Sequence, residues 1–297
     1  MKARFSITLS PDLQQQLDAL IDSVHIRSRS EAIEKIVRKY LEHSKKAVIL
    51  CGGNPEHYKI NGFFRPLVLI KGKPLISYTL AALKHAGFHH IHVVGSAPVV
   101  GEIFKTIGNG HDHGVKIEYT EESHALGQFK TLQAIEDKLT TPFLIIQMDN
   151  FFTFNPLLIH KTFVENKAIV SLALHARDDA TNKKGFVEVS GDVITHFSHE
   201  QNGINTSIAS CTLAMCDPAI FRFIPREESP CGDEHLFPQL IKSRQLRSVM
   251  IKGPWFNIHT AKDVQKVEEW LEEHEFPYAI AETSSQETTG RMAASVA

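Results

Sequence analysis

Arg4-Phe5-Ser6-Ile7-Thr8-Leu9, running into Ser10-Pro11-Asp12, decides how this chain begins. Polar and apolar residues alternate with period two, which marks a half-buried strand. Phe5, Ile7 and Leu9 fall on one face; Arg4, Ser6 and Thr8 fall on the other. Ser10 is an N-cap and Pro11 suits the first helical position. Leu13, Leu17, Leu20, Ile21 and Val24 then recur at helical spacing. Ser28-Arg29-Ser30-Glu31 reads as a capping box opening a second helix, whose apolar stripe is Ile33, Ile36, Val37, Tyr40 and Leu41. One strand and two short helices cannot bury so much apolar surface, and a lone strand leaves both edges unpaired. Two copies resolve both problems, with strands paired about a two-fold axis over a four-helix core.

In such a dimer the polar face shows Arg4, Ser6 and Thr8 twice, at a width that fits a DNA major groove. The start of the second helix offers backbone amides to a phosphate, beside Ser28, Arg29 and Ser30. A dimerisation module without a DNA target is the competing reading. An arginine and two hydroxyls on the outward face favour DNA.

The module resembles the ribbon-helix-helix regulators, the N-terminal domain of the nickel-responsive repressor among them. The resemblance spans residues 2–43, including R-x-S-x-T-L and S-R-S-E-A-I. It implies that Arg4, Ser6 and Thr8 read bases of a double-stranded operator, while Ser28 to Ser30 hold phosphate. It also implies a homodimer through residues 1–44. Whether dimers pair further stays open.

Beyond residue 44 the pattern changes. Ala47-Val48-Ile49-Leu50-Cys51 ends in Gly52-Gly53, a buried parallel-type strand feeding a loop that a ligand can approach closely. Apolar stretches at 90–94, 143–147 and 168–174 alternate with helical segments at 75–86 and 129–139. That alternation predicts an α/β fold with ligands at the strands' carboxyl ends.

A second resemblance is carried by four stretches in order. They are K-A-V-I-L-C-G-G (46–53), R-P-L-V-L-I-K-G-K-P-L-I-S-Y (65–78), Ala125-Leu126-Gly127 with Met148-Asp149-Asn150, and G-P-W-F-N-I-H-T-A-K-D (253–263). They look like the sugar-phosphate nucleotidylyltransferases. The resemblance implies a Rossmann-like, glycosyltransferase-A type domain with a mainly parallel sheet over residues 45–281. It implies nucleotide contacts at Gly52, Gly53, Arg65 and Gly127, and magnesium on Asp149. Residues 282–297 are small and polar, and read as a disordered tail.

The departures bear on function. The family's G-G-x-G-T-R-L is replaced by Gly52-Gly53-Asn54-Pro55-Glu56-His57-Tyr58, without the arginine. Arg65 takes the place of a lysine, Asn257 that of a second metal carboxylate, and Glu200-Gln201-Asn202 that of a sugar-contacting Glu-Lys-Pro. Nucleotidyl transfer rests on positioning and charge neutralisation. Losing one such group typically costs ~3–4 kcal/mol of barrier. A DNA-binding regulator with a nucleotide or sugar-phosphate effector is therefore favoured over an active transferase that carries a DNA-binding module.

Composition sets outer limits. The 297 residues carry 32 Lys+Arg against 34 Asp+Glu, a net charge of −2, so any nucleic-acid surface is local. No apolar run reaches membrane-spanning length and no signal peptide opens the chain, so a cytoplasmic protein is expected. Cys51, Cys211, Cys216 and Cys231 form no C-x-x-C pair and read as reduced thiols. The 17 histidines include His89-His90-Ile91-His92 and His111-Asp112-His113. Without partners at ligand spacing these read as structural or surface groups.

Overall fold

A computed structural model of the chain describes residues 6–176, 185–200 and 206–281, except the side chains of residues 38–44. Arg4, Phe5, the side chains of Tyr40 and Leu41, Gln201, Asn202 and the 282–297 segment lie outside the described residues. The chain divides into two compact units, 1–44 and 45–297.

In the first unit, helix α1 (Pro11–Asp18) starts where Ser10 accepts the Leu13 amide, and helix α2 covers Arg29–Ser44. Residues 6–10 are exposed and form no ladder with any described segment. Helix α1 is shorter than its apolar spacing predicts, because Asp22 competes for the backbone. Its carboxylate accepts the amides of Val24, His25 and Ile26 at 2.7–3.0 Å, and Ser23 turns to φ 63°. Such an Asx turn offers the chain an alternative to helix. Ser28 accepts the Glu31 amide at 3.2 Å, and Glu31 reaches back to the Arg27 amide at 3.0 Å, one residue before the cap.

The second unit is built on a nine-stranded sheet among the described residues. Its strands are β1 (Lys46–Cys51), β2 (His90–Gly95), β3 (Lys116–Glu121), β4 (Phe143–Gln147), β5 (Val170–Ala176), β6 (Phe186–Ser190), β7 (Val193–Ser198), β8 (Ile208–Cys216) and β9 (Leu246–Met250). Their order is β5-β9-β7-β6-β8-β4-β1-β2-β3, with β5 also paired to β8. β3, β2, β1 and β4 run parallel, whereas β8 enters antiparallel against β4 and β5. The parallel half delivers its loops to one edge, where α/β sheets take ligands.

Helices α3 (Leu75–His85), α4 (Ala97–Ile107) and α6 (Leu157–Asn166) cover one face; α5 (Gln128–Gln133) and α7 (Asp233–Lys242) cover the other. β1 feeds both cores, sending Ala47, Ile49 and Cys51 one way and Val48 and Leu50 the other. That two-sided burial is why its sequence is apolar throughout rather than alternating. A third core gathers Ile60, Ile70, Leu75, Tyr78, Phe151 and Ile258 beside helix α8 (Ala261–Glu273). Here Asn150–Phe152 pairs antiparallel with Trp255–Asn257, joining two stretches a hundred residues apart in sequence. All four cysteines are buried free thiols, and burial raises their pKa.

Candidate functional site

The site is assembled where β1, β3 and β4 end. Gly52 and Gly53 follow β1. A Cβ on Gly52 would lie 2.2 Å from Thr131 Oγ1 and 2.5 Å from Glu122 Oε2. Gly53 holds φ 104°, and a Cβ there would meet the Tyr58 hydroxyl at 2.3 Å. Both positions therefore require glycine for space, and Gly53 also for backbone conformation.

Glu122, just past β3, fills this loop. Its carboxylate accepts the Gly53 amide at 2.6 Å through Oε1 and the Thr131 hydroxyl at 2.5 Å through Oε2. Glu122 and Thr131 were not singled out from sequence; a carboxylate directly after an edge-side parallel strand was the available signal. Gly127 caps α5 at φ 97°, and a Cβ on it would press the Cys231 carbonyl at 2.8 Å. Backbone bonds from Phe129 N to Cys231 O and from Cys231 N to Leu126 O fix that approach. Close packing thus accounts for Gly127 by itself.

Asp149 follows β4, and the Asn150–Phe152 ladder carries it to the closing motif, where the Ile258 amide donates to its carbonyl at 2.8 Å. Arg65 donates through Nη1 to Asp149 Oδ2 at 2.9 Å, with the two side chains only 13% and 11% exposed. His259 Nε2 stands 3.1 Å from the same oxygen. His259 was not singled out from sequence. Asp263 fixes it in place, accepting the His259 and Thr260 amides at 3.1 and 2.9 Å as part of the α8 capping box.

Two further features flank this pair. The segment 54–58, which lacks the family's arginine, forms a short 3-10 turn capped by Asn54. It sets the Tyr58 ring against Gly53 and 5.2 Å from the Arg65 guanidinium, within cation–π range. Burial next to Asp149 raises the Tyr58 pKa. Meanwhile Asn257 Oδ1 and Arg65 Nε are buried without a hydrogen-bond partner. Nearby, Asn150 receives Trp255 Nε1 and Thr212 Oγ1 on its amide oxygen, so its polar capacity is spent on structure.

A relay of side chains continues from β4 across the helix starts. Gln147 donates to Gln128, and Gln128 donates to Asp233 at the first turn of α7. Burial, reinforced by the adjacent Glu234 charge, pushes the Asp233 carboxyl up to about 7. His199, beyond β7, lies 3.6 Å from Glu234 and 3.9 Å from Asp233.

The structure thus brings together Gly52, Gly53, Arg65 and Asp149, with Tyr58, Glu122, Thr131 and His259 completing the ring. Residues 46–273 match the nucleotidyl transferase family. The chain belongs to that family. Residues 3–44 match the ribbon-helix-helix proteins of the copG family, so the nucleotidyl transferase domain is fused to a ribbon-helix-helix module.

Among relatives, an N-acetylmuramate alpha-1-phosphate uridylyltransferase of Neisseria meningitidis is 34% identical over 35% of this chain and 46% of its own length. A mannose-1-phosphate guanylyltransferase catalytic subunit beta of Danio rerio is 25% identical over 73% of this chain and 62% of its own length. The chain therefore spans about half to two thirds of the curated relatives it matches. A Bacillus anthracis crystal structure described as a glucose-1-phosphate thymidylyltransferase covers 78% of this chain and 97% of its own, at 20% identity and TM-score 0.68. At that identity it shows the shared fold. No helix among the described residues is long and apolar enough to cross a membrane.

The family implies a divalent cation, and the residues at Asp149 test whether one fits. A hard cation needs several oxygen ligands, carboxylates foremost. Here the Asp149 carboxylate is already met by a guanidinium and an imidazole, and Asn257, opposite Asn150 in the ladder, puts a neutral amide where the family pattern has its second carboxylate. This donor set does not fit magnesium.

Proposed function

We propose that the chain is a dimeric, DNA-binding transcriptional regulator whose nucleotidyl transferase domain binds a nucleotide or nucleotide sugar as an effector. One observation carries this reading: the groups that would neutralise a transferring phosphoryl chain are turned on one another. Arg65 is spent on Asp149, and the Gly53 amide on Glu122. Binding tolerates that arrangement, because a preformed pocket needs only net complementarity. Catalysis does not, because transition-state charge must be met by groups already free to receive it.

On the DNA side, Ser6 and Thr8 are exposed for base contacts, with Arg4 as their third member. Ser28 uses its oxygen to cap α2, which leaves its hydroxyl proton for a phosphate. Arg29 is held by Asp18 through two bonds of 2.5 and 2.7 Å. Phosphate binding therefore rests on Ser28, Ser30 and the first-turn amides more than on Arg29.

An active sugar-phosphate nucleotidylyltransferase with a DNA-binding module is the second reading, favoured by the match over residues 46–273 to a family whose relatives bear enzyme names. Two measurements decide between them. Operator DNA, selected from a random library by the full chain, is titrated with and without nucleotides and nucleotide sugars. Pyrophosphate release is measured with nucleoside triphosphates, sugar 1-phosphates and magnesium against an Asp149→Ala control. The regulator reading expects a ligand-dependent change of about 5- to 150-fold in operator affinity and no magnesium-dependent release above the control. Release clearly above that control establishes the enzyme instead.

A further inference from the structure

The misfit between Asp149 and a divalent cation has a consequence for what the pocket accepts. Arg65 and Asp149 are nearly buried and 2.9 Å apart, so a cation approaching Asp149 meets a guanidinium already in place. His259 Nε2, on a half-exposed ring 3.1 Å from the same carboxylate oxygen, adds a close contact that becomes an ion pair when the imidazole is protonated. These are the contacts a metal would otherwise make. Asp263 of the α8 cap holds the His259 backbone, the Asn150–Phe152 ladder adjoins Asp149, and Arg65 opens the short turn Arg65–Leu67.

The charge balance of the ring then restricts the ligand. Arg65 and Asp149 cancel, while Glu122 contributes a carboxylate directly over the glycine loop. A terminal phosphate carries about two negative charges at neutral pH and an internal one about one. A nucleoside triphosphate therefore brings roughly four charges, and a nucleoside diphosphate sugar roughly two. With no metal to offset it, the more highly charged ligand is penalised by Glu122 and gains nothing from the cancelled pair. The Asn257 Oδ1 atom, on the strand that pairs with Asn150–Phe152, is a buried acceptor without a partner among the described residues. It suits a hydroxyl donor better than a phosphate oxygen, which only accepts.

We propose that Arg65 and His259 replace the divalent cation at Asp149, and that the pocket takes a nucleoside diphosphate sugar without metal in preference to a nucleoside triphosphate. This rests on the effector reading above and names its ligand class and metal requirement.

The test uses the full chain and calorimetric titration with UDP-glucose, dTDP-glucose and GDP-mannose. UTP, dTTP and GTP are titrated beside them, each in EDTA and in millimolar magnesium. In parallel, manganese binding is followed by electron paramagnetic resonance on wild type, Arg65→Met and Asp149→Asn. The expected result is a sugar nucleotide whose affinity is the same in both buffers, where a coupled metal would change it about 5- to 150-fold. Its matching triphosphate binds about 10- to 100-fold more weakly in EDTA. Wild type binds no manganese, and Arg65→Met exposes Asp149 and gains a manganese signal. A sugar nucleotide that binds only with magnesium, or a wild-type manganese signal lost in Asp149→Asn, overturns the inference and leaves the effector reading standing. If none of the six ligands binds in either buffer, the effector reading falls and takes this inference with it.

Discussion

Replacing Ile36 by aspartate should break the dimer while leaving the large domain intact. Ile36 and Val37 lie on α2 and are 46% and 45% exposed in the single chain, with Ile7, Leu9, Leu13, Leu20 and Val24 of the same unit also open. So many uncovered aliphatic groups in one small unit need a partner. Burying a whole aliphatic side chain is worth about 1.5–3 kcal/mol, so covering the exposed part of Ile36 gives about 1 kcal/mol per copy. An aspartate there forfeits that and adds the desolvation of a charge, at several kcal/mol per ion. Counted over both copies the loss is at least ~5 kcal/mol, which raises the dimer dissociation constant by roughly three to four powers of ten. Sedimentation velocity at micromolar concentration should show dimer for wild type and monomer for Ile36→Asp. Operator binding should fall with it, because each half-site contact then loses its partner. The thermal transition of the large domain should not move, because Ile36 is not among the described residues of its cores. A variant that stays dimeric and binds operator normally refutes the assignment of this apolar face to the dimer.

Gly53→Ala should destabilise the large domain by about 2–4 kcal/mol, through positive-φ strain and the 2.3 Å approach to Tyr58, and weaken ligand binding; an unchanged melting temperature contradicts the loop geometry. Asp233 titrates near 7 in the fold against 3.8 ordinarily, so the folded state holds its proton longer and stability falls as pH rises through that window. Asp233→Asn keeps an acceptor for Gln128 but no charge, so its stability should exceed wild type by up to ~4 kcal/mol above pH 7 and converge with it below pH 4; parallel curves exclude the shift. α2 ends at Ser44 and β1 begins at Lys46, so a Gly-Ser insertion after Ser44 should reduce any effect of ligand on operator affinity; an intact effect means that the signal does not pass through this junction.

Local signals located most of the fold. The apolar run of β1, the period of α3 and the cap of α2 each follow from residues a few positions apart, and each appears close to its expected bounds. Where expectation failed, a nearby competitor was responsible. The leucines after α1 kept their helical spacing, but Asp22 took three amides for a turn. β8 breaks the parallel run because its place beside β4 is set by long-range pairing, which period alone does not encode.

The site was legible only as single residues. Arg65, Asp149 and His259 are separated by 84 and 110 positions, and nothing local says that the first two form a pair. Read one at a time, Arg65 is a retained charge and Asp149 a retained metal ligand, and both count toward catalysis. Read together at 2.9 Å, each cancels the other. The same holds for Gly53 and Glu122: a glycine loop suggests free amides, and its amide is already taken. Asn257 stands where the family pattern has a carboxylate, and His259 brings an imidazole to 3.1 Å from the Asp149 carboxylate. The first change lowers the closing motif's affinity for a hard cation, and the second adds an ion-pair contact to Asp149 when the ring is protonated. A pocket drifting without constraint would be expected to leave Asp149 unpaired or lose it, since an uncompensated buried carboxylate costs several kcal/mol. Asp149 instead stands 2.9 Å from Arg65 Nη1 and 3.1 Å from His259 Nε2, next to a strand pair. Such an arrangement is what the effector reading expects, and pyrophosphate release above the Asp149→Ala control would contradict it.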